Sequence, residues 1–136
     1  MFKLSKKTEY GILALQHMAA MDNGRVTTVK EMSENYKIPH SLLAKICQQL
    51  AKSEIISSIQ GSRGGYALSR GATDISLADV MEAIEGPIHI VDCNLDHHTC
   101  GRDEDCTLKT GLNTIEAQMA NFLNKITLQD FAVTSF

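Results

Sequence analysis

The stretch that decides the fold runs Glu54-Ile55-Ile56-Ser57-Ser58-Ile59-Gln60, then Gly61-Ser62-Arg63-Gly64-Gly65, then Tyr66-Ala67-Leu68-Ser69. An Ile- and Ser-rich run, a turn with three glycines and a short apolar answer predict a β-hairpin over 54–69. Lacking a Cβ, Gly61, Gly64 and Gly65 let the backbone turn tightly and approach a phosphate or a minor groove. Arg63 puts a positive charge at the tip.

Three helices are predicted before the hairpin. Ser5 caps the first, which runs to about Met21, with Glu9 near the positive end of its dipole. Its apolar positions Ile12, Leu15 and Ala19 recur at helical spacing and predict a core-facing stripe. Asp22-Asn23-Gly24 ends it. Thr28 with Glu31 forms a capping box for a second helix reaching about Tyr36. Pro39 interrupts, and a third helix spans His40 to about Ser53. Helix, helix, helix, strand, strand is the order of a winged helix-turn-helix, so the fold class is mainly α with a two-stranded β wing.

Behind the hairpin, Ser76 and Asp79 cap a fourth helix that Gly86-Pro87 stops. Residues 88–106 show no sustained periodicity. From Thr107 to Lys125 comes the longest helix, with Leu108, Leu112, Ile115, Met119 and Phe122 spaced 4-3-4-3. That spacing is the seam of a paired helix, or alternatively a face buried within the same chain. Thr127 and Asp130 can cap a last short helix. The expected organisation is a DNA-binding domain over 1–87, a cysteine loop over 88–106 and a dimerisation segment over 107–136.

The size of 136 residues suits one domain with a small appendage, and the 43% hydrophobic and 21% charged residues are ordinary for a globular protein. No apolar run approaches a membrane span, and the amino terminus lacks the apolar stretch of a signal peptide, so a cytoplasmic protein is expected. The net charge of −3 divides unevenly: residues 1–73 carry ten basic and five acidic groups, residues 74–136 three and eleven. A basic front half is the electrostatic footprint of a nucleic-acid partner. On the third helix, Ser41, Lys45, Gln48 and Lys52 share a face opposite Leu43, Ile46, Cys47 and Leu50. Ser41 and Gln48 can bond base edges in a major groove, and Lys45 and Lys52 phosphates or guanine acceptors. A plain solvated face is the alternative, and the basic hairpin tip favours DNA. No nucleotide loop, carboxylate pair or helical zinc motif points to an enzyme.

Cys93, Cys100 and Cys106 fall within fourteen residues, whereas Cys47 stands on an apolar helix face as core filler. In a reducing compartment such a cluster suits metal or redox chemistry more than a disulfide. Spacing alone leaves zinc, with His97 or His98 as fourth ligand, an iron–sulfur cluster, and free redox thiols all open.

The chain resembles the Rrf2 family of bacterial regulators. The resemblance is carried by Leu4-Ser5-Lys6 with Tyr10, by Gly61-Ser62-Arg63-Gly64-Gly65-Tyr66-Ala67-Leu68, by Ile75-Ser76-Leu77-Ala78-Asp79-Val80 and Ala83-Ile84-Glu85-Gly86, by the three cysteines, and by Phe122-Leu123 with Ile126-Thr127-Leu128. It implies a homodimeric winged-helix repressor or activator whose cysteine loop holds an iron–sulfur cluster, with the long helix as the dimer contact. Some members are instead thiol switches without a cluster. IscR-type members have a histidine three residues after the third cysteine, and here that residue is Lys109, which has no lone pair to donate when protonated. NsrR-type members use a carboxylate near the start of the first helix, reaching across the dimer, and Glu9 stands there. The resemblance therefore favours 4Fe–4S over 2Fe–2S and Glu9 as fourth ligand, with Asp96, His97 and His98 as competitors inside the loop. A carboxylate is harder and more exchangeable than a thiolate, so the iron it holds is where nitric oxide or oxygen would act.

Overall fold

The computed structural model describes residues 3–21, 25–62, 64–88 and 107–133. Helix α1 (Lys6–Ala20) starts where Ser5 Oγ accepts the Thr8 amide at 3.2 Å, as the cap pattern predicts. Its buried residues are Thr8, Gly11, Ile12, Ala14, Leu15 and Met18. Ala19 is exposed: the covered face follows Ile12, Leu15 and Met18, so the predicted stripe is corrected at its last position.

Helix α2 (Val29–Tyr36) opens on a complete capping box. Thr28 Oγ1 accepts the Glu31 amide at 3.1 Å and the Glu31 carboxylate accepts the Thr28 amide at 3.4 Å. The Thr27 hydroxyl donates a second bond to that carboxylate, at 2.7 Å. This hydroxyl first, then the Thr28 amide, lowers the Glu31 pKa below its usual value. Lys37 leaves the helix in the left-handed region, Ile38 plugs the core, and Pro39 begins helix α3 (His40–Lys52). This tight turn sets α3 against α2.

The hairpin is shorter than predicted. Strands β1 (Ile56–Ile59) and β2 (Gly65–Leu68) pair antiparallel, with Ile56 opposite Leu68 and Ile59 opposite Gly65. Glu54 is no strand residue: its φ of 62° turns the chain out of α3 so that the Ile55 amide can return to Leu50 O at 3.0 Å. Tyr66 also forms a two-bond bridge with Thr27, 2.7 and 3.0 Å, fastening the wing to the start of α2.

A 3₁₀ turn over Ala72–Asp74 leads to helix α4 (Leu77–Glu85), again with both halves of its capping box, Ser76 with Asp79. Helix α5 (Thr107–Lys125) packs on α4, and helix α6 (Leu128–Val133) returns to α1. Leu128 is buried in the common core with Ile12, Leu15, Leu50, Ile75 and Val80. A short bridge between Ser76 and Thr127 holds the α5–α6 corner against the start of α4. The apolar face of α5 stays largely uncovered: Leu108 is 65%, Ile115 47% and Phe122 63% exposed. Leu112 and Met119, the other two positions of the 4-3-4-3 spacing, are half-buried.

Candidate nucleic-acid interface

Helix α3 separates its two faces cleanly. Leu43, Ile46, Cys47 and Leu50 are fully buried against the core, which fixes the helix axis and its rotation. Ser41, Lys45, Gln48 and Lys52 are all exposed on the other side. Lys45, Gln48 and Lys52 line one groove of about 390 Å³, together with Gln49 and Leu42 of the same helix and Lys7 of α1. Ser41 shares the exposed side but does not line this groove. Gln49 turns inward, its amide reaching Ile84 O at 3.5 Å and leaving Gln48 as the outward glutamine.

The end of α3 and the hairpin form a second, polar groove of about 820 Å³, lined by Ser53, Glu54, Ser57, Ser58, Ser69 and Arg70 among others. Arg70 is tethered there: its guanidinium bonds Asp74 O at 3.4 Å and meets Asp79 Oδ2 at 3.5 Å. It joins the wing to the start of α4, a role that follows from tertiary contact and has no sequence signal.

At the turn, the glycines answer to the chain's own backbone. A Cβ on Gly64 would stand 2.3 Å from Ile59 O, and one on Gly65 2.4 Å from Thr27 O. Both distances are impossible for a side chain, so the hairpin and its bridge to Thr27 demand glycine before any ligand is considered. Arg63 lies outside the described residues, as do Cys93, Cys100, Cys106, Asp96, His97 and His98.

Glu9 sits in the first turn of α1, part-exposed, with its carboxylate 3.2 Å from Lys6 Nζ. One turn earlier, the Ser5 hydroxyl donates to the Glu85 carboxylate, the last residue of α4. The start of α1 is thereby tied to the point where residues 88–106 begin. Cys47 is enclosed, and burial pushes its thiol up to about 11. That suits the core-filler role predicted for it and keeps it apart from thiolate chemistry.

A sequence profile of the Rrf2 family, described as iron-dependent transcriptional regulators, matches residues 4–134. The chain belongs to the Rrf2 family. Solved Rrf2-type structures superpose on it. CymR of B. subtilis, the global cysteine regulator, shares 24% identity over all of both chains at a TM-score of 0.76. IscR of T. potens shares 23% over 96% of this chain and 86% of its own, at 0.73. The oxidized form of Staphylococcus aureus CymR shares 21% over 99% of both, also at 0.73. The winged-helix fold with a long C-terminal helix is thus common to all four, and the chain is a transcriptional regulator of this family. No helix among the described residues is long and apolar enough to cross a membrane.

Proposed function

We propose that this Rrf2 regulator is a cytoplasmic homodimer that binds a dyad-symmetric DNA operator, with an affinity set by an iron–sulfur cluster on Cys93, Cys100, Cys106 and Glu9. The observation that carries the DNA half is α3, whose apolar face is locked in the core while Ser41, Lys45, Gln48 and Lys52 face outward. Ser41 and Gln48 are assigned to base edges, Lys45 and Lys52 to phosphates, and Arg63 with Gly64 to the adjacent groove. Residues 1–87 then bind DNA, 88–106 hold the cofactor and 107–136 join the two copies through α5.

For the cofactor, the donor set is the support. Three closely spaced thiolates suit iron–sulfur chemistry, and the family is described as iron-dependent. Cys93, Cys100 and Cys106 supply the three thiolates of this assignment, and among the described residues no other group of three or more His, Cys, Asp or Glu could hold a metal. Glu9 fits the fourth position, 4Fe–4S being favoured over 2Fe–2S. Its described partner is Lys6, and an exposed pair of that kind is worth only ~0–1 kcal/mol, so the carboxylate is easily released. The cluster would supply a centre open to nitric oxide, oxidants or iron shortage. The chain's own part is transmission. The Ser5–Glu85 bond joins the root of the loop to the turn that carries Glu9, and α1 packs directly on α3. A loop that is held or released therefore biases the position of the recognition helix, which is a shift between two populations.

The test is anaerobic purification of wild type and Glu9→Ala with iron, sulfide and zinc assays. Iron with sulfide in wild type and an altered, air-sensitive spectrum in Glu9→Ala are expected. Zinc without sulfide overturns the cluster. A colourless, metal-free protein leaves a thiol switch of the same fold. An unchanged Glu9→Ala spectrum moves the fourth position to Asp96, His97 or His98.

A further inference from the structure

We propose that the groove between the first turn of α1 and the outward face of α3 seats a phosphodiester backbone, and that Lys7 contacts it from outside the recognition helix. This rests on the DNA-binding reading above and adds to it a residue, a helix and a place for the strand.

The groove's polar lining consists of Lys7, Lys45, Lys52, Gln48 and Gln49, with no carboxylate among the lining residues. The contrast between two adjacent lysines is instructive. Lys6 is held by Glu9 at 3.2 Å, whereas Lys7 has no ion pair among the described residues, and neither have Lys45 and Lys52. Three ammonium groups around one groove, none ion-paired among the described residues, repel one another, and an anion relieves that repulsion. A single small anion would neutralise only part of the set. A backbone with a charge at each step along the groove matches lysines contributed by two helices.

The backbone beneath Lys7 is fixed. Ser5 caps α1 and donates to Glu85, and Glu9 returns its amide to Ser5 O at 3.0 Å. Binding through Lys7 therefore orders one side chain and no backbone. It also means that the turn bearing Ser5 and Glu9 is itself part of the DNA contact, so a displacement of that turn is felt by the bound strand directly as well as through α3.

The experiment titrates the full-length protein against a random-sequence DNA duplex across a range of salt concentrations, since a backbone contact is blind to sequence. Lys7→Gln is expected to lower the slope of log affinity against log salt by about 0.9, equivalent to about three- to fourfold in the affinity lost between ~50 and ~200 mM salt. Lys7→Arg should restore it, and Lys125→Gln, the same charge loss at the far end of α5, should keep the wild-type slope. A Lys7→Gln slope equal to wild type overturns the groove while steep wild-type binding preserves the DNA reading. A wild type that does not bind duplex DNA overturns that reading itself. Inorganic phosphate that competes at matched ionic strength with wild type but not with Lys7→Gln would make a free anion the occupant and overturn the backbone assignment.

Discussion

Helices α3 and α5 are both amphipathic, and they meet opposite fates. On α3 the apolar residues Leu43, Ile46, Cys47 and Leu50 vanish into a core built with α1, α2 and α4. On α5 much of the equivalent stripe is open, with Leu108, Ile115 and Phe122 each about half exposed or more and Leu112 and Met119 half-buried. Periodicity identifies a face that has to be covered but is silent about what covers it. An exposed seam of this length is costly in water, because apolar area left wet forgoes roughly 25 cal/mol per Å². A second copy of α5, offering the same stripe in return, is the simplest cover for it.

The sharpest way to break this contrast is to charge the seam. Replacing Ile115 and Met119 together by glutamate should leave the head folded and abolish pairing, since each carboxylate buried in an interface costs several kcal/mol. Sedimentation velocity would show monomers while the thermal transition of the head persists. A surviving dimer would place the interface elsewhere, and global unfolding would mean that the stripe is covered by its own chain. The matching insult to α3 is Leu50→Ala. It empties a fully enclosed site and should cost ~2–5 kcal/mol in denaturant unfolding, at any protein concentration. Concentration dependence is thus the discriminating readout between the two helices.

What could be read from the sequence divides along the same line. The three caps at Ser5, Thr28 and Ser76 were legible because each is a bond between residues three apart. The α3 faces were legible because burial there repeats with the helix. Ala19 misled because a small residue fits either face. Glu54 misled because its left-handed turn is imposed by the Ile55–Leu50 bond that closes α3. The glycines of the wing are legible as the mark of a tight turn, but the close approaches of Gly64 to Ile59 and of Gly65 to Thr27 exist only in the folded chain. At the site, the outward residues of α3 followed from spacing. Lys7 did not, because its nearness to Lys45 and Lys52 is created only when α1 docks on α3.

The enclosed face of α3 also carries a pH signature that a solvated helix would lack. Burial disfavours the thiolate and pushes the Cys47 thiol from its ordinary value of 9.0 up to about 11 in the folded chain. Between those values the unfolded chain has lost its proton and the folded chain has kept it, so stability falls as pH rises. Below pH 9.0 the effect is absent. The loss should reach roughly 2–3 kcal/mol by pH 11, at ~1.4 kcal/mol per unit. Urea unfolding of wild type and Cys47→Ala across this window checks it: the variant starts less stable but should show a shallower decline. Parallel slopes would mean that water reaches the thiol and that α3 is less tightly seated than its enclosed residues imply.

The smallest effect is expected on the outward face, where stability and function separate. Gln48 is exposed and packs against nothing in the core, so Gln48→Ala should leave the unfolding transition within about 0.5 kcal/mol of wild type. If Gln48 bonds a base edge, the same variant should lose ~1–3 kcal/mol of affinity for an operator selected by the wild-type protein, and should tolerate substitutions at one base position per half-site. Affinity for random-sequence DNA should hardly change, because no phosphate contact is removed. A uniform loss over all sequences would assign Gln48 to the backbone alongside Lys45 and Lys52. An undiminished operator preference would leave base reading to Ser41 at the start of α3 and to the wing, and the remainder of α3 would then position the protein on DNA without reading it.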